Sequence, residues 1–394
     1  MKKLFFVFAF LIPLIIRAQT IKTDVLVIGN GDAALAAGMQ SYKSGVRTLI
    51  LTQDQGFTGQ KSGSTKSAEV QKLYKNLTIW EAKKLAQLGE TTSKVKGKEV
   101  KKKIDSTTYL NVIHNVQYTE ISRSGNGWEL KLANGQSLKS KILVLADDPA
   151  KLLSALKIKT LASVETEVLS YNKNLYRTTI AGISASEPRY LSLYNLLIPN
   201  QENLLFIPPG NIELGQAAGA TAAYAAFFET KTSLSNLKRI QGELLSYKLA
   251  LMPFEDIKAV DSNWLAIQKI GVTGILKAEI KGGKAYFNPE VKVTYDEIKQ
   301  PLKDYYYKAQ IWFDDHQNIP INLENTISLV SYVGNKSVEA TKTELQKKWN
   351  KSYKFSSKYD LNKNLTRREF SVIINEYLKP FDDVNVDKTG RVIR

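Results

Sequence analysis

The sequence predicts an α/β protein that ends in a small, mostly helical domain. An apolar run over residues 25–28 is followed by glycines, a helix of small residues and a second apolar run over 46–51. Short alternating segments with hairpin turns follow over residues 112–146. Buried parallel strands read as continuous apolar runs, whereas strands of a meander alternate, so both kinds of strand are expected here.

A glycine-rich turn follows the first predicted strand. Gly29, Gly31 and Ala34 have the spacing G-x-G-x-x-G/A. In this motif the first glycine permits a tight turn, the second lets a pyrophosphate approach the backbone, and the third small residue packs the helix against the strand. Ala33 keeps the helix thin at its start. The pattern predicts a Rossmann-like FAD/NAD(P)-binding domain with the phosphates at the helix amino terminus.

The second strand lacks the acid that usually holds the ribose hydroxyls. That place is taken by Thr52, and the nearest acid, Asp54, comes two positions later. Thr52 is able to make one hydrogen bond to the ribose, and Asp54 is the alternative if the loop turns back.

The composition excludes several kinds of site. The chain has no cysteine and only two histidines, His114 and His316, far apart in sequence. Thiol catalysis, disulfides and a thiolate metal site are therefore excluded, and no metal site is expected. The net charge is +17, but the densest basic run, over residues 94–103, contains no aromatic residue. Nucleic-acid binding is not expected, since such surfaces combine arginine with aromatic platforms.

The amino terminus has the pattern of a secretory signal peptide. Lys2 and Lys3 precede a long apolar run that ends near Ala18. We expect residues 1–18 to be removed by cleavage after Ala18, which leaves an exported, periplasmic or extracellular protein with no membrane span. An uncleaved anchor is the alternative interpretation.

The central part of the chain predicts a meander and then a second strand–helix pair. Asn134-Gly135 is a strong hairpin signal, and the apolar strand over residues 142–146 is expected to return to the parallel sheet. Leu204–Ile207 reads as a buried strand, and Gly215–Ala226 as a helix of small residues that permits close packing or a cofactor at its amino terminus.

These segments resemble the exported FAD-dependent oxidoreductases of Bacteroidetes-type bacteria, which are flavoproteins with two dinucleotide-binding domains. The resemblance is carried by DVLVIGNGDAALAA from Asp24, GFTGQKSGS from Gly56 and NLLFIPPGNIELGQAAG from Asn203. It implies FAD as cofactor, with Gly59 and Gln60 lining the flavin approach and Gly215 and Gln216 at the amino terminus of the second helix. The segment that would hold the family's substrate domain is short here, over 149–191, which together with Thr52 indicates a shortened, degenerate member.

The carboxyl-terminal region contains a repeated pattern. A T-x-x-E capping box after an apolar residue occurs at Thr294 and again at Thr366. The copies resemble surface-layer-homology repeats, which in general bind surface glycans; a helical appendage packed on the first domain is the alternative. We therefore divide the chain into a signal peptide (1–18), an FAD-binding domain with a reduced substrate region (19–244) and a repeat region (245–394).

Two functions are consistent with these features. The first is an FAD-dependent oxidoreductase that acts on an unknown small molecule, with no acid–base pair assignable. The second is a non-catalytic binding protein that retains the flavoprotein fold and attaches to a cell surface or glycan through its repeats.

Overall fold

The computed structural model describes residues 20–57, 71–72, 75–76, 110–146, 154–156, 164–208 and 210–394. The predicted signal peptide and the basic run over 94–103 lie outside these ranges. The described strands are β1 Thr20–Ile28, β2 Thr48–Leu51, β3 Leu110–Ile113, β4 Tyr118–Ser124, β5 Gly127–Leu132, β6 Ser137–Leu145, β7 Glu167–Val168, β8 Thr179–Ser184, β9 Pro188–Ser192, β10 Leu204–Phe206, β11 Glu279–Lys281, β12 Lys284–Tyr286, β13 Asn385–Val386 and β14 Val392–Ile393. The helices are α1 Asp32–Lys43, α2 Leu193–Leu196, α3 Ile212–Phe227, α4 Leu237–Ser246, α5 Trp264–Thr273, α6 Tyr295–Tyr305, α7 Tyr307–Asp315, α8 Leu323–Val333, α9 Val338–Lys348, α10 Arg367–Tyr377 and α11 Pro380–Asp383.

A parallel sheet with the order β3-β2-β1-β6-β10 forms the centre of the first domain. The central strand β1 pairs with β2 from Val25 opposite Thr48 and with β6 up to Ile28 opposite Leu145. Its apolar residues are almost fully excluded from water on both faces. The fold is thus the Rossmann-like α/β class that the apolar runs predict.

The meander shares its last strand with the parallel sheet. β4, β5 and β6 pair antiparallel, and Gly135 forms the predicted hairpin turn at φ +84°. The sequence predicts two strands over residues 136–146, but the structure has one continuous strand, β6. Its first half pairs with β5 and its second half with β10, so the change from alternating to fully apolar residues marks a change of neighbour rather than a break.

Helices α1 and α3 cross on one face of the sheet at very short range. A Cβ at Gly215 would stand 2.4 Å from the carbonyl oxygen of Ala33, and one at Gly219 would stand 2.3 Å from that of Ala37. The hydroxyl of Ser41 on α1 also donates to the carbonyl of Gly219 at 3.0 Å. The small residues of α3 therefore serve close helix packing, which was one of the two interpretations of this helix.

The region between the meander and α3 carries a small antiparallel sheet of order β7-β9-β8. Buried polar groups tie it to later residues: Gln241 on α4 donates to the carbonyls of Arg177 and Thr179, and the Thr179 hydroxyl donates to Leu251. Gln268 on α5 in turn accepts from the N–H groups of Leu251 and Met252. One hydrophobic core continues from the α1–α3 face through these residues into the carboxyl-terminal helices. The carboxyl-terminal region is thus packed onto the first domain.

Four helices of the carboxyl-terminal region begin with the same side-chain cap. One is α9, where Ser337 accepts from the N–H of Ala340; the other three, α6, α8 and α10, resemble one another more closely. Oxygens of Thr294, Asn322 and Thr366 accept from the backbone N–H three residues on, and each cap starts a helix of 11 residues. Their preceding segments meet side by side, because Val293 N–H donates to Leu365 and Leu365 N–H donates to Ile321, both at 3.0 Å. The sequence predicts two copies of this unit; the third, at Asn322, was missed because asparagine replaces threonine and the acid is absent.

The two predicted capping boxes differ in the structure. Thr366 and Glu369 form a complete box. At Thr294 only the first half is present, because Glu297 forms an ion pair with the buried Arg367 instead.

No helix within the described ranges is long and apolar enough to cross a membrane.

Candidate dinucleotide-binding site

Five parallel strands end at the same edge of the sheet. The residues that follow them are Gly29 after β1, Thr52 after β2, His114 after β3, Ala146 after β6 and Ile207 after β10. Ligands of open α/β sheets bind in the crevice at this carboxyl edge. Helices α1 and α3 also begin here, since each directly follows one of these strands.

The turn at Gly29 requires a glycine. Its φ is +151°, and a Cβ would stand 2.2 Å from the carbonyl oxygen of Ala146. The N–H of Gly29 donates to Leu51 at 3.0 Å, which fixes the turn between the two neighbouring strands. This is the tight-turn role expected for the first glycine of the motif.

Gly31 begins α1 without help from a side chain. It occupies the N-cap position with φ −85° and ψ 173°, and no side chain caps the helix. The amino terminus of α1 lies at the carboxyl edge of the sheet, where the amides and dipole of a helix end favour a phosphate. A pyrophosphate therefore fits the backbone here.

Ala33 and Ala34 are completely buried. Ala33 lies under Gly215 of α3, and the Cβ of Ala34 is 3.0 Å from the position of a Cβ on Gly29. Both positions admit only a small side chain, for packing reasons that hold whether or not a ligand binds.

Thr52 lies inside the loop rather than facing the crevice. It is 0% exposed, and its hydroxyl accepts from the N–H of Asp54 at 3.1 Å. The Asp54 carboxylate instead accepts a hydrogen bond from the amide of Asn30, between the two glycines of the turn. The loop therefore brings an acid to the glycine turn from two residues beyond the usual place.

Asp32 is an acid in the first turn of α1. A carboxylate here is favourable for the helix dipole but repels a phosphate at the same helix end. Thus the backbone of the site fits a pyrophosphate, whereas this side chain opposes it.

The other predicted residues divide into two groups. Gly59 and Gln60 lie outside the described residues. Helix α3 begins at Ile212, capped by Asn211, whose side chain accepts from Leu214 N–H at 2.8 Å. Gly215 and Gln216 therefore lie one turn inside the helix rather than at its first residues, and Gly215 faces α1.

Two residues at this edge, Asn30 and His114, were not selected from the sequence as site residues, and Asp54 was named only as the alternative to Thr52. Asn30 and Asp54 meet across the glycine turn. His114 packs edge-on against Phe57, with ring centroids 5.8 Å apart, and its buried Nδ1 has no hydrogen-bond partner among the described residues. Asn30 lies inside the motif and Asp54 is the first acid after β2, so the sequence contains a pattern that points to each of them. The position of His114 follows only from the parallel pairing of β3 with β2.

Among the described residues, no group of three histidines or acids is placed to hold a metal ion.

The chain has a Rossmann-like α/β fold. Among solved structures it is similar to the L-proline dehydrogenase of P. horikoshii (11% identity, 38% of this chain and 25% of that one, TM-score 0.22). It is also similar to the thioredoxin reductase of T. acidophilum (11% identity, 37% and 38%, TM-score 0.21). A third is a flavin monooxygenase from Stenotrophomonas maltophilia (14% identity, 41% and 44%, TM-score 0.22). The chain spans less than half the length of each of these structures.

No protein-family model and no curated protein sequence matches the chain.

Proposed function

We propose that this protein is an exported FAD-dependent oxidoreductase that acts on a small molecule. The observation that carries the proposal is the glycine turn at the carboxyl edge, where Gly29 is held at φ +151° against Ala146 and α1 begins without a side-chain cap. An anionic dinucleotide satisfies these amides, and FAD is the dinucleotide that the resemblance of the motifs favours.

The residues of the chain have distinct proposed roles. The backbone of Gly29 and Gly31 and the first turn of α1 hold the pyrophosphate, with Ala33 and Ala34 allowing its approach. Asp54, positioned by Asn30, takes the ribose hydroxyls in place of Thr52. For the flavin end we propose Gly59, Gln60 and Gln216, whereas Gly215 packs α3 against α1. When bound, the flavin supplies the hydride or electron transfer, and the protein binds and orients it.

The test is the cofactor content of the purified mature protein. We expect flavin absorbance and stoichiometric release of FAD on denaturation. Gly31→Asp should abolish binding by placing a carboxylate where the phosphates lie, whereas Gly242→Asp, on α4 with nothing within 4 Å of its Cβ position, should retain it. Colourless protein that takes up no added FAD contradicts the proposal, and retained FAD in Gly31→Asp shows that the motif is misassigned.

Export is a separate part of the proposal. We expect mature protein recovered from a periplasmic or secreted fraction to begin after Ala18. Amino-terminal sequencing of that fraction tests this, and an intact residue 1 in the cytoplasmic fraction contradicts it.

A second candidate function is a non-catalytic binding protein attached to a surface glycan. It is favoured by the three capped-helix units and by Asp32, which opposes a phosphate at α1. Residues 245–394 belong to the same core as the first domain, so the full mature chain is the right sample. Sedimentation with cell-envelope polysaccharide distinguishes the two functions: a colourless protein that co-sediments supports the second, and a flavin-loaded protein that stays in solution supports the first.

A further inference from the structure

A cavity of about 690 Å³ is lined by residues that are far in sequence from the glycine turn. It opens between the turn at 175–178, the end of α6 and the β13–β14 hairpin. Three arginines line it, Arg177, Arg391 and Arg394, and Asp304 is the single acid among its described lining residues. The chain has 45 lysines and only ten arginines. A cavity that takes three of those ten is enriched in the one cation whose planar fork matches an oxyanion.

Arg177 is a buried cation. The residue is 6% exposed. Its Nε donates to the backbone carbonyl of Thr273 at 2.9 Å, and its Nη1 donates to the backbone carbonyl of Gly390 at 3.3 Å. No carboxylate of the described residues lies within 4.0 Å of its nitrogens. Buried arginines are usually paired with an acid, so this guanidinium lacks its usual counter-charge.

The other two arginines are held in place by backbone contacts. Gly390, at φ +79°, sits so close to the turn at Asn174 that a Cβ would stand 1.9 Å from that residue's carbonyl oxygen. Asp387 accepts from the N–H of Arg391 at 3.0 Å and so shapes the hairpin turn. Arg394 donates from Nε to the carbonyl of Asp304 at 2.7 Å. The hairpin is therefore fixed against the cavity before any ligand arrives, which lowers the entropic cost of binding.

A purely structural role accounts for part of this arrangement. Thr273 ends α5, and Asp304 lies in the last turn of α6, so Arg177 and Arg394 both meet helix carboxyl termini, where cations are favourable. That role does not involve Arg391. It also leaves the lining side chains with three positive charges against one negative, an excess that the neighbouring Asp387 carboxylate reduces but does not cancel.

We propose that this arginine cavity binds a tetrahedral oxyanion, the phosphate or sulfate group of a small molecule. Arg391 and Arg394 bind the anion from the hairpin side, Arg177 supplies positive charge from the cavity floor, and the amide of Asn174 adds a donor at the rim. Charge-assisted hydrogen bonds from guanidinium groups are the strong kind, and a dianion matches the excess of positive charge. The inference does not depend on whether the chain binds FAD.

The test compares sodium phosphate, sodium sulfate and sodium chloride at equal ionic strength, by calorimetric titration and by thermal unfolding of the full mature chain. We expect saturable binding of phosphate or sulfate but not chloride. Arg391→Gln with Arg394→Gln should weaken it about a hundredfold, because each lost charge-assisted bond contributes about tenfold. Both residues are exposed, so the variant is expected to fold.

The matched control is Lys258→Gln with Lys281→Gln, which removes two exposed positive charges away from the cavity. It should bind the anion as the unaltered protein does. Saturable binding that is unchanged in the arginine variant, or the absence of any saturable binding in the unaltered protein, overturns the proposal and leaves the arginines as caps of α5 and α6.

Discussion

The side-chain amide of Asn30 donates a hydrogen bond to the carboxylate of Asp54, across the glycine turn that ends β1. Asp54 lies two residues beyond the end of β2, and Thr52, at the usual place of the acid, turns its hydroxyl inward to the N–H of Asp54. Asp54 therefore takes the place of the missing acid, because the hydrogen bond of Thr52 shapes the loop that brings Asp54 to the glycine turn.

These separate roles predict that one substitution changes FAD affinity and the other changes stability. Asp54→Asn should lower FAD affinity about tenfold with little change in stability, since a charge-assisted bond to the ribose is lost. Thr52→Val should leave affinity nearly unchanged and lower the free energy of unfolding by about 1 kcal/mol, because the partly buried N–H of Asp54 loses its acceptor. Flavin titration and urea unfolding of both variants check this. Loss of affinity in Thr52→Val alone would reverse the assignment.

Asp32 should weaken cofactor binding in the natural protein. Replacing it by asparagine removes a like charge from the first turn of α1, so Asp32→Asn is expected to raise FAD affinity by a few-fold, in line with about 0.3–1 kcal/mol for a charge at a helix end. Glu213→Gln, at the equivalent turn of α3, is the control for a change of net charge. Fluorescence titration with FAD at low salt measures both, and a lower affinity in Asp32→Asn would show that the carboxylate helps the ligand.

The close crossing of α1 and α3 predicts opposite signs for the same substitution at two helical glycines. Gly219→Ala places a Cβ 2.3 Å from the carbonyl oxygen of Ala37 and should destabilise by about 2–3 kcal/mol through overpacking. Gly242→Ala has open space around it on α4 and should stabilise by about 0.5–1 kcal/mol through helix propensity. Chemical unfolding of the two variants gives the comparison. Equal effects would mean that the helices are farther apart than described.

Lys238 predicts a pH dependence of stability. Burial lowers the pKa of this side chain to about 8, with Arg177 and Lys269 acting in the same direction and Asp382 opposing. In the unfolded chain the lysine keeps its proton up to its ordinary pKa of about 10.5. Between these values the unfolded state binds more protons, so the contribution of Lys238 to stability rises with pH from about 8 to 10.5.

Lys238→Met should remove that rise, at the cost of the cation–π contact between Nζ and the Phe381 ring, whose centroid is 4.5 Å away. At pH 7 the variant should be more stable by about 2 kcal/mol, since folding no longer desolvates a charged ammonium group. Lys231→Met, at an exposed position, controls for the lost surface charge. Denaturation series at several pH values measure the difference, and parallel stability curves for Lys238→Met and the unaltered protein would contradict the prediction.

Local pattern was sufficient for much of the first domain. The apolar run at Val25–Ile28, the glycine spacing and the hairpin at Asn134-Gly135 each depend on residues close together in sequence, and the structure has the corresponding strand, turn and hairpin. The position of α3 was predicted only approximately, because its start is set by the Asn211 cap rather than by its alanines.

The amino-acid sequence by itself determined the α/β class, the strained turn at Gly29 and the capped helix at Thr366, because backbone conformation, burial period and capping are local properties. Tertiary structure decided what those features touch. Strand pairing put His114 at the same sheet edge as the glycine turn, and the loop after β2 brought Asp54 to Asn30. Helix packing set Gly215 against Ala33, and folding of the carboxyl-terminal hairpin brought Arg391 to Arg177, more than 200 residues away. Such contacts depend on which surfaces meet, and no spacing in the sequence encodes them.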